Sequence, residues 1–160
     1  MSLNEKIPED IKQAMRQGQR EKVTILRTLQ AAIKNREIEL KKRDEGLGDS
    51  EVVEVVGREV KKVKDSIEQF SKAGRQDLVE ASETELQIMM TYMPEQIGED
   101  QIRDAVKEAI EDAGAAGMGD LGKVMKAVMP VLKGKADGSL VNKVVREELE
   151  SLSPKEMTQR

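Results

Sequence analysis

The chain has no histidine and no cysteine, and its 160 residues include one phenylalanine, one tyrosine and no tryptophan. Each absence removes a chemistry. Without His there is no Ser–His or Cys–His nucleophile pair. Without His or Cys there is no ordinary zinc site, and no Glu-x-x-His di-iron site in a helical bundle. No disulfide can form, which is compatible with a reducing compartment. With Phe70 and Tyr92 as the only rings, base stacking cannot dominate recognition, so nucleic-acid binding would rest on phosphate and shape contacts. No apolar run approaches the roughly 20 residues of a membrane span, and the N-terminus lacks a signal-peptide core. The expectation is a soluble, cytoplasmic protein without a cofactor or metal.

What is there is charge and helical period. The formal net charge is −4, yet residues 121–146 carry +5, from Lys123, Lys126, Lys133, Lys135, Lys143 and Arg146 against Asp137 alone. A local excess of that sign suits a phosphate-rich partner, and it also suits a solvated helix face. A second basic stretch, residues 16–43, holds nine Lys or Arg against Glu21, Glu37 and Glu39. Here the simpler reading is an exposed helix laced with local ion pairs, such as Arg36 with Glu39 or Glu37 with Lys41. Helix 99–113 is the counterweight, with six acids against Arg103 and Lys107.

The apolar spacing predicts helices throughout and no strand. Leu3, Ile7, Ile11 and Met15 mark a first helix that begins at Leu3 or, because Pro8 lacks a donor, kinks or begins near Pro8, and that stops before Gly18. Arg20–Arg43 reads as a second, with Val23, Leu26, Leu29, Ile33 and Leu40 inward. Asp49 or Ser50 caps a third, whose stripe is Val53, Val56, Val60, Val63, Ile67 and Phe70, closed by Gly74. Asp77–Met93 supplies a fourth with Leu78, Leu86, Met89 and Met93 inward, ended by Pro94. Glu95–Gly98 is the candidate boundary. Three shorter helices follow at Glu99–Ala113, Asp120–Met129 and Ser139–Leu149. The chain therefore reads as all-α: a four-helix N-terminal domain over 1–95, a small three-helix C-terminal domain over 96–152, and a loose tail at 153–160.

Two further signals have plain readings. Gly117–Lys123 has the G-x-x-x-x-G-K spacing of a phosphate-binding loop, but Val124 stands where Ser or Thr should hold Mg²⁺, and an acidic helix rather than a strand precedes it. It reads as an interhelix turn with Asp120 as N-cap. The methionines flanking the boundary (Met89, Met90, Met93, Met118, Met125, Met129) suit adaptable core packing or a hinge. Carboxylate pairs such as Glu83/Glu85 and Asp44/Glu45 offer no reason to choose a catalytic pair.

Three stretches carry a resemblance: RTLQAAIKNREIE at Arg27–Glu39, EVKKVKDSIEQFSKAGRQDLVEASETELQIMMTYMPEQI at Glu59–Ile97, and GKVMKAVMPVLKGKADGSLVNKVVREEL at Gly122–Leu149. They resemble the YqeY-like proteins, a family similar to the C-terminal tail of the B subunit of the glutamine-dependent aminoacyl-tRNA amidotransferase. The resemblance implies an all-helical, two-part protein corresponding to a tRNA-contacting appendage. It carries an association with carbon–nitrogen ligation using glutamine as amido donor. No ATP site, nucleophile or amidase motif is readable, so the chain is expected not to catalyse alone. The favoured function is a non-catalytic tRNA-binding or amidotransferase-associated protein, with amidotransferase subunits or other translation proteins as further partners. Lys123, Lys126, Lys133, Lys135, Lys143 and Arg146 would contact phosphates, helped by Arg27, Lys34 and Arg36. The alternative is a protein-interaction adaptor docking through helix 99–113 or the Met-rich junction.

Overall fold

The computed structural model describes residues 1–152; the tail expected at 153–160 lies outside them. Among the described residues there are seven α-helices and no strand: α1 Leu3–Arg16, α2 Arg20–Glu39, α3 Asp49–Lys72, α4 Gln76–Met90, α5 Glu99–Ala113, α6 Leu121–Leu132 and α7 Gly138–Leu152, with a 3₁₀ turn at Met118–Asp120. The chain divides into two compact units, Met1–Pro94 with four helices and the part from Glu95 with three.

In the first unit α1 begins at Leu3 although Pro8 lies inside it. A capping box holds that start: the Ser2 N–H donates to Glu5 Oε2 (2.9 Å) and the Glu5 N–H to Ser2 Oγ (3.3 Å). With burial of Ile7, Ile11 and Ala14, it outweighs the donor that Pro8 cannot supply. Met15 is exposed and Ala14 takes the inward place. Helix α2 stops at Glu39, four residues short of Arg43, because Lys41 adopts a left-handed conformation (φ 57°). The Lys42 N–H then reaches the Glu37 carbonyl (2.8 Å) and the Lys41 N–H the Ile38 carbonyl (3.1 Å). That pair satisfies two terminal carbonyls. Leu40 is consequently left at the surface.

The core of this unit joins Ile7, Ile11, Val23, Ile25, Leu26, Leu29 and Ile33 to α3 and to Met89 and Tyr92. Helix α3 buries Val52, Val55, Val56, Val60 and Val63, whereas Val53, Ile67 and Phe70 are half-buried. It packs against α1, α2 and α4, so its buried strip is broader than a single stripe and shifted toward Val52 and Val55. On α4, Val79 is buried and Leu78 half-buried. Tyr92 donates its hydroxyl to Asp10 Oδ2 (2.6 Å), and Lys6 Nζ lies 5.6 Å from the ring centroid. Burial first, then the bond to Asp10, raises the phenol above its ordinary pKa.

The second unit packs α5, α6 and α7 around Ile102, Val106, Val124, Val128, Val141, Val144, Val145 and Leu149. Helix α6 runs through Pro130, past the expected end at Met129, to the buried Leu132. Pro130 faces solvent. Near the C-terminal end the lost bond is outweighed by seating Leu132 in the core. The methionines on both sides of Pro94 pack within their own units, Met89, Met90 and Met93 in the first and Met118, Met125 and Met129 in the second. That is core filling.

Candidate nucleic-acid interface

The second unit's helices decide where its six cations point. On α6, Val124, Val128 and Leu132 are buried, and a helix turns about 100° per residue. Lys123 and Lys126 therefore sit within about 60° of each other on the side away from that stripe. On α7, Val141, Val144, Val145 and Leu149 are buried, which sends Lys143 and Arg146 outward within one turn. Lys133 and Lys135 flank Gly134 in the turn between the helices. Their backbone is pinned there: the Lys135 N–H donates to the Leu132 carbonyl (2.9 Å), and the Lys135 carbonyl accepts the Ile97 N–H (3.0 Å). All six side chains are exposed. The six are thus exposed as three pairs, on α6, in the turn and on α7.

For the five cations other than Lys133, engagement with acids is slight. Lys143 Nζ lies 3.9 Å from Glu147 Oε1, and Arg146 Nε donates to Asn142 Oδ1 (2.8 Å). Lys123, Lys126 and Lys135 have no ion pair among the described residues. Among the described residues, the acids of α5 make no ion pair with these five cations. Arg103 of α5 instead reaches across to α7, binding Glu147 Oε2 (2.7 Å) and Glu148 Oε1 (2.6 Å) as well as Glu99 on its own helix (3.0 Å). Glu147 first and then Glu148 stabilise the charged guanidinium, and Arg103 in turn holds the Glu147 carboxyl below its ordinary pKa. The clamp thus commits Glu147 and Glu148 of α7 to Arg103, with Glu147 also lying beside Lys143.

The glycine-rich loop has no phosphate-cradle geometry. It leads from α5 through the 3₁₀ turn into α6, and a side chain added at Gly119 or Gly122 would meet open space. Asp120 precedes α6 but does not cap it with its side chain; Oδ2 accepts the Ala116 N–H (2.9 Å) and folds the loop back on itself. Asp137 accepts the Ser139 N–H (2.7 Å) at the start of α7, so the one acid within the basic segment is used locally.

The three residues named as helpers lie in the first unit. Lys34 pairs with Glu37 (2.9 Å) and Arg36 with Glu39 (2.9 Å), while Arg27 Nη2 approaches Met15 Sδ (3.8 Å). Glu37 therefore pairs with Lys34 rather than Lys41. Its carboxylate is 2% exposed and also accepts from Asn4 Nδ2 (3.3 Å). Sequence reasoning placed Glu37 on a solvated face and missed this burial. Gly46, at positive φ, packs beside this pair: a Cβ there would come within 2.8 Å of Asn4 Nδ2, which would have to shift. Local ion pairing, the simpler reading of this basic stretch, is what the side chains of Lys34 and Arg36 do.

Among the described residues, no group of three or more carboxylates could hold a metal, and no helix is long and apolar enough to cross a membrane.

Comparison with known proteins gives a consistent pattern. The family model described as Yqey-like protein matches residues 4–149. Altered inheritance of mitochondria protein 41, mitochondrial, of Pyrenophora tritici-repentis is 33% identical over 141 residues, covering 86% of this chain and 76% of that protein. Its namesake from Eremothecium gossypii is 36% identical over 87 residues, 54% of this chain and 46% of that protein. The E subunit of the glutamyl-tRNA(Gln) amidotransferase of Thermococcus gammatolerans is 39% identical over 64 residues, 40% of this chain and 10% of that protein. The chain thus spans less than half of the Eremothecium relative and a tenth of the amidotransferase polypeptide. The amidotransferase likeness read from the sequence is borne out. The cytoplasmic expectation is not: the fungal relatives are mitochondrial by name, which overturns it. The error lay in treating lack of cysteine and of a signal-peptide core as evidence for one compartment, since both fit several.

Proposed function

Because the chain belongs to the Yqey-like protein family, we propose that it is a non-catalytic helical protein that binds tRNA or associates with a tRNA amidotransferase. The observation that carries this reading is the outward display of Lys123, Lys126, Lys133, Lys135, Lys143 and Arg146 by α6, α7 and their turn, in a chain of net negative charge. Similarity to an amidotransferase polypeptide supports that partner class, and the fungal relatives named as mitochondrial support a mitochondrial setting. Binding proceeds by counterion release from phosphates and by shape, because a chain with two aromatic rings has little to stack on. The Arg103 clamp supports the surface by engaging Glu147 and Glu148. Lys34 and Arg36 contribute less, each being committed to a local acid. Lack of a His, a Cys or a phosphate loop of workable geometry supports a binding role over amide transfer.

The test is filter binding of unmodified tRNA to the full chain and to a variant with Lys123, Lys126, Lys143 and Arg146 all changed to Ala. Losing four phosphate contacts should weaken affinity by roughly tenfold or more at physiological salt. Unchanged affinity would remove the site assignment; tRNA binding by neither protein would remove the RNA reading.

A further inference from the structure

The first unit carries a groove that the RNA reading does not use. It has a volume of about 290 Å³ and is lined by Glu21, Thr24 and Ile25 of α2, Phe70 of α3, and Leu78, Ala81, Ser82 and Glu85 of α4. The α4 residues recur at spacings of three and four, so the groove follows one stripe of that helix for about 10 Å. Its floor is apolar, and the chain's only phenylalanine sits there half-buried rather than in the core. Its lining carries two acids, Glu21 and Glu85, and no Lys or Arg. Helix α4 has four carboxylates and no Lys or Arg. Asp77 is held by Arg75, but neither lining acid, Glu85 of α4 or Glu21 of α2, makes an ion pair among the described residues; Glu80 and Glu83 are exposed on the other side of α4. Partial burial, then the nearby Glu59, raises the Glu85 pKa, which marks a carboxylate short of a cation.

We infer that this groove docks a basic amphipathic helix of a protein partner. Apolar side chains of that helix would cover Ile25, Phe70 and Leu78, while flanking Lys or Arg residues meet Glu21 and Glu85. A polyanion is repelled here. The opening falls just below the roughly 300–1,000 Å³ of small-molecule pockets and is open along its length, which suits side chains entering from a neighbouring surface. Ser82 and Thr24 between the acids give the polar edge that such grooves carry. The larger groove beside α5 and α7, about 520 Å³, favours no such partner: its lining carries both Lys107 and Glu111, one turn apart on α5, and Glu148 is already bound by Arg103. The inference does not rest on RNA binding; it assigns protein docking to the first unit and leaves the second for the polyanion.

The probe is a fluorescein-labelled peptide of about 14 residues built only of Leu and Lys at helical spacing, with a Leu/Glu peptide of the same pattern as control. Fluorescence anisotropy with the full chain should show saturable binding of the Leu/Lys peptide and none of the Leu/Glu peptide. Glu21→Lys with Glu85→Lys should weaken binding roughly tenfold or more, and the milder Glu21→Gln with Glu85→Gln should weaken it less but measurably. Asp104→Lys with Glu108→Lys, the same charge change on α5, should leave it within about twofold. Equal losses in the two charge-reversed proteins, or no loss in either groove variant, would overturn the proposal. So would self-association of the chain, seen by sedimentation and abolished by the groove variants, because the occupant would then be a second copy.

Discussion

Replacing Tyr92 with Phe isolates one buried interaction in a chain with a single tyrosine and no tryptophan. The ring is 3% exposed, and its hydroxyl donates to Asp10 at 2.6 Å. A hydrogen bond to a charged group contributes about 1.5–3 kcal/mol, and Asp10 is only half-buried, so water partly replaces the lost donor. Tyr92→Phe should therefore destabilise the first unit by about 1.5 kcal/mol, the low end of that range. Urea unfolding followed by far-UV circular dichroism measures it as a lower midpoint with an unchanged slope. The same side chain predicts a pH effect. Its raised folded pKa means this stabilisation is complete below pH ~10 and is lost as the phenol ionises at higher pH. Ultraviolet titration of the sole tyrosine should show no phenolate in the native chain at the pH where the urea-unfolded chain is half ionised. Coincident titration curves, or a Tyr92→Phe protein as stable as the parent, would refute the account of this bond.

Two further substitutions test other parts of the fold. Lys41→Gly removes a left-handed non-glycine residue at the end of α2 and should raise stability by about 1 kcal/mol in urea unfolding; the flanking helices α1 and α3 already end on glycines of positive φ, Gly18 and Gly74. Glu85→Gln should stabilise the chain at neutral pH, because the raised folded pKa makes the ionised parent unfavourable there. That advantage should fade as pH falls below the ordinary carboxylate range, where the parent is protonated in both states. Thermal midpoints at pH 7 and about pH 3 compare the two.

Helix number and order were readable because each helix carries a strong period and an explicit stop. Phase was harder. In α3, Val52, Val53, Val55 and Val56 are equally apolar, so spacing alone cannot say which faces inward until the neighbours on α1, α2 and α4 are known. Met15 and Ala14 pose the same difficulty, and the smaller residue won the buried place. Pro8 and Pro130 read as breakers because the sequence shows the missing donor but not the capping box or the core seat for Leu132 that outweighs it. The six cations were legible as a charge excess. The long-range contacts were not: Arg103 lies more than forty positions from Glu147 and Glu148, and Asn4 is thirty-three from Glu37. The groove along Leu78, Ala81, Ser82 and Glu85 escaped notice because it forms only when α2 and Phe70 stand beside α4.

The salt dependence of tRNA binding tests the central claim most directly. With six cations on phosphates, the logarithm of the association constant should fall against the logarithm of salt with a slope of roughly −4 to −5. The protein lacking Lys123, Lys126, Lys143 and Arg146 should retain a slope of only about −1 to −2. Equal slopes for the two proteins, or a flat response in both, would contradict it.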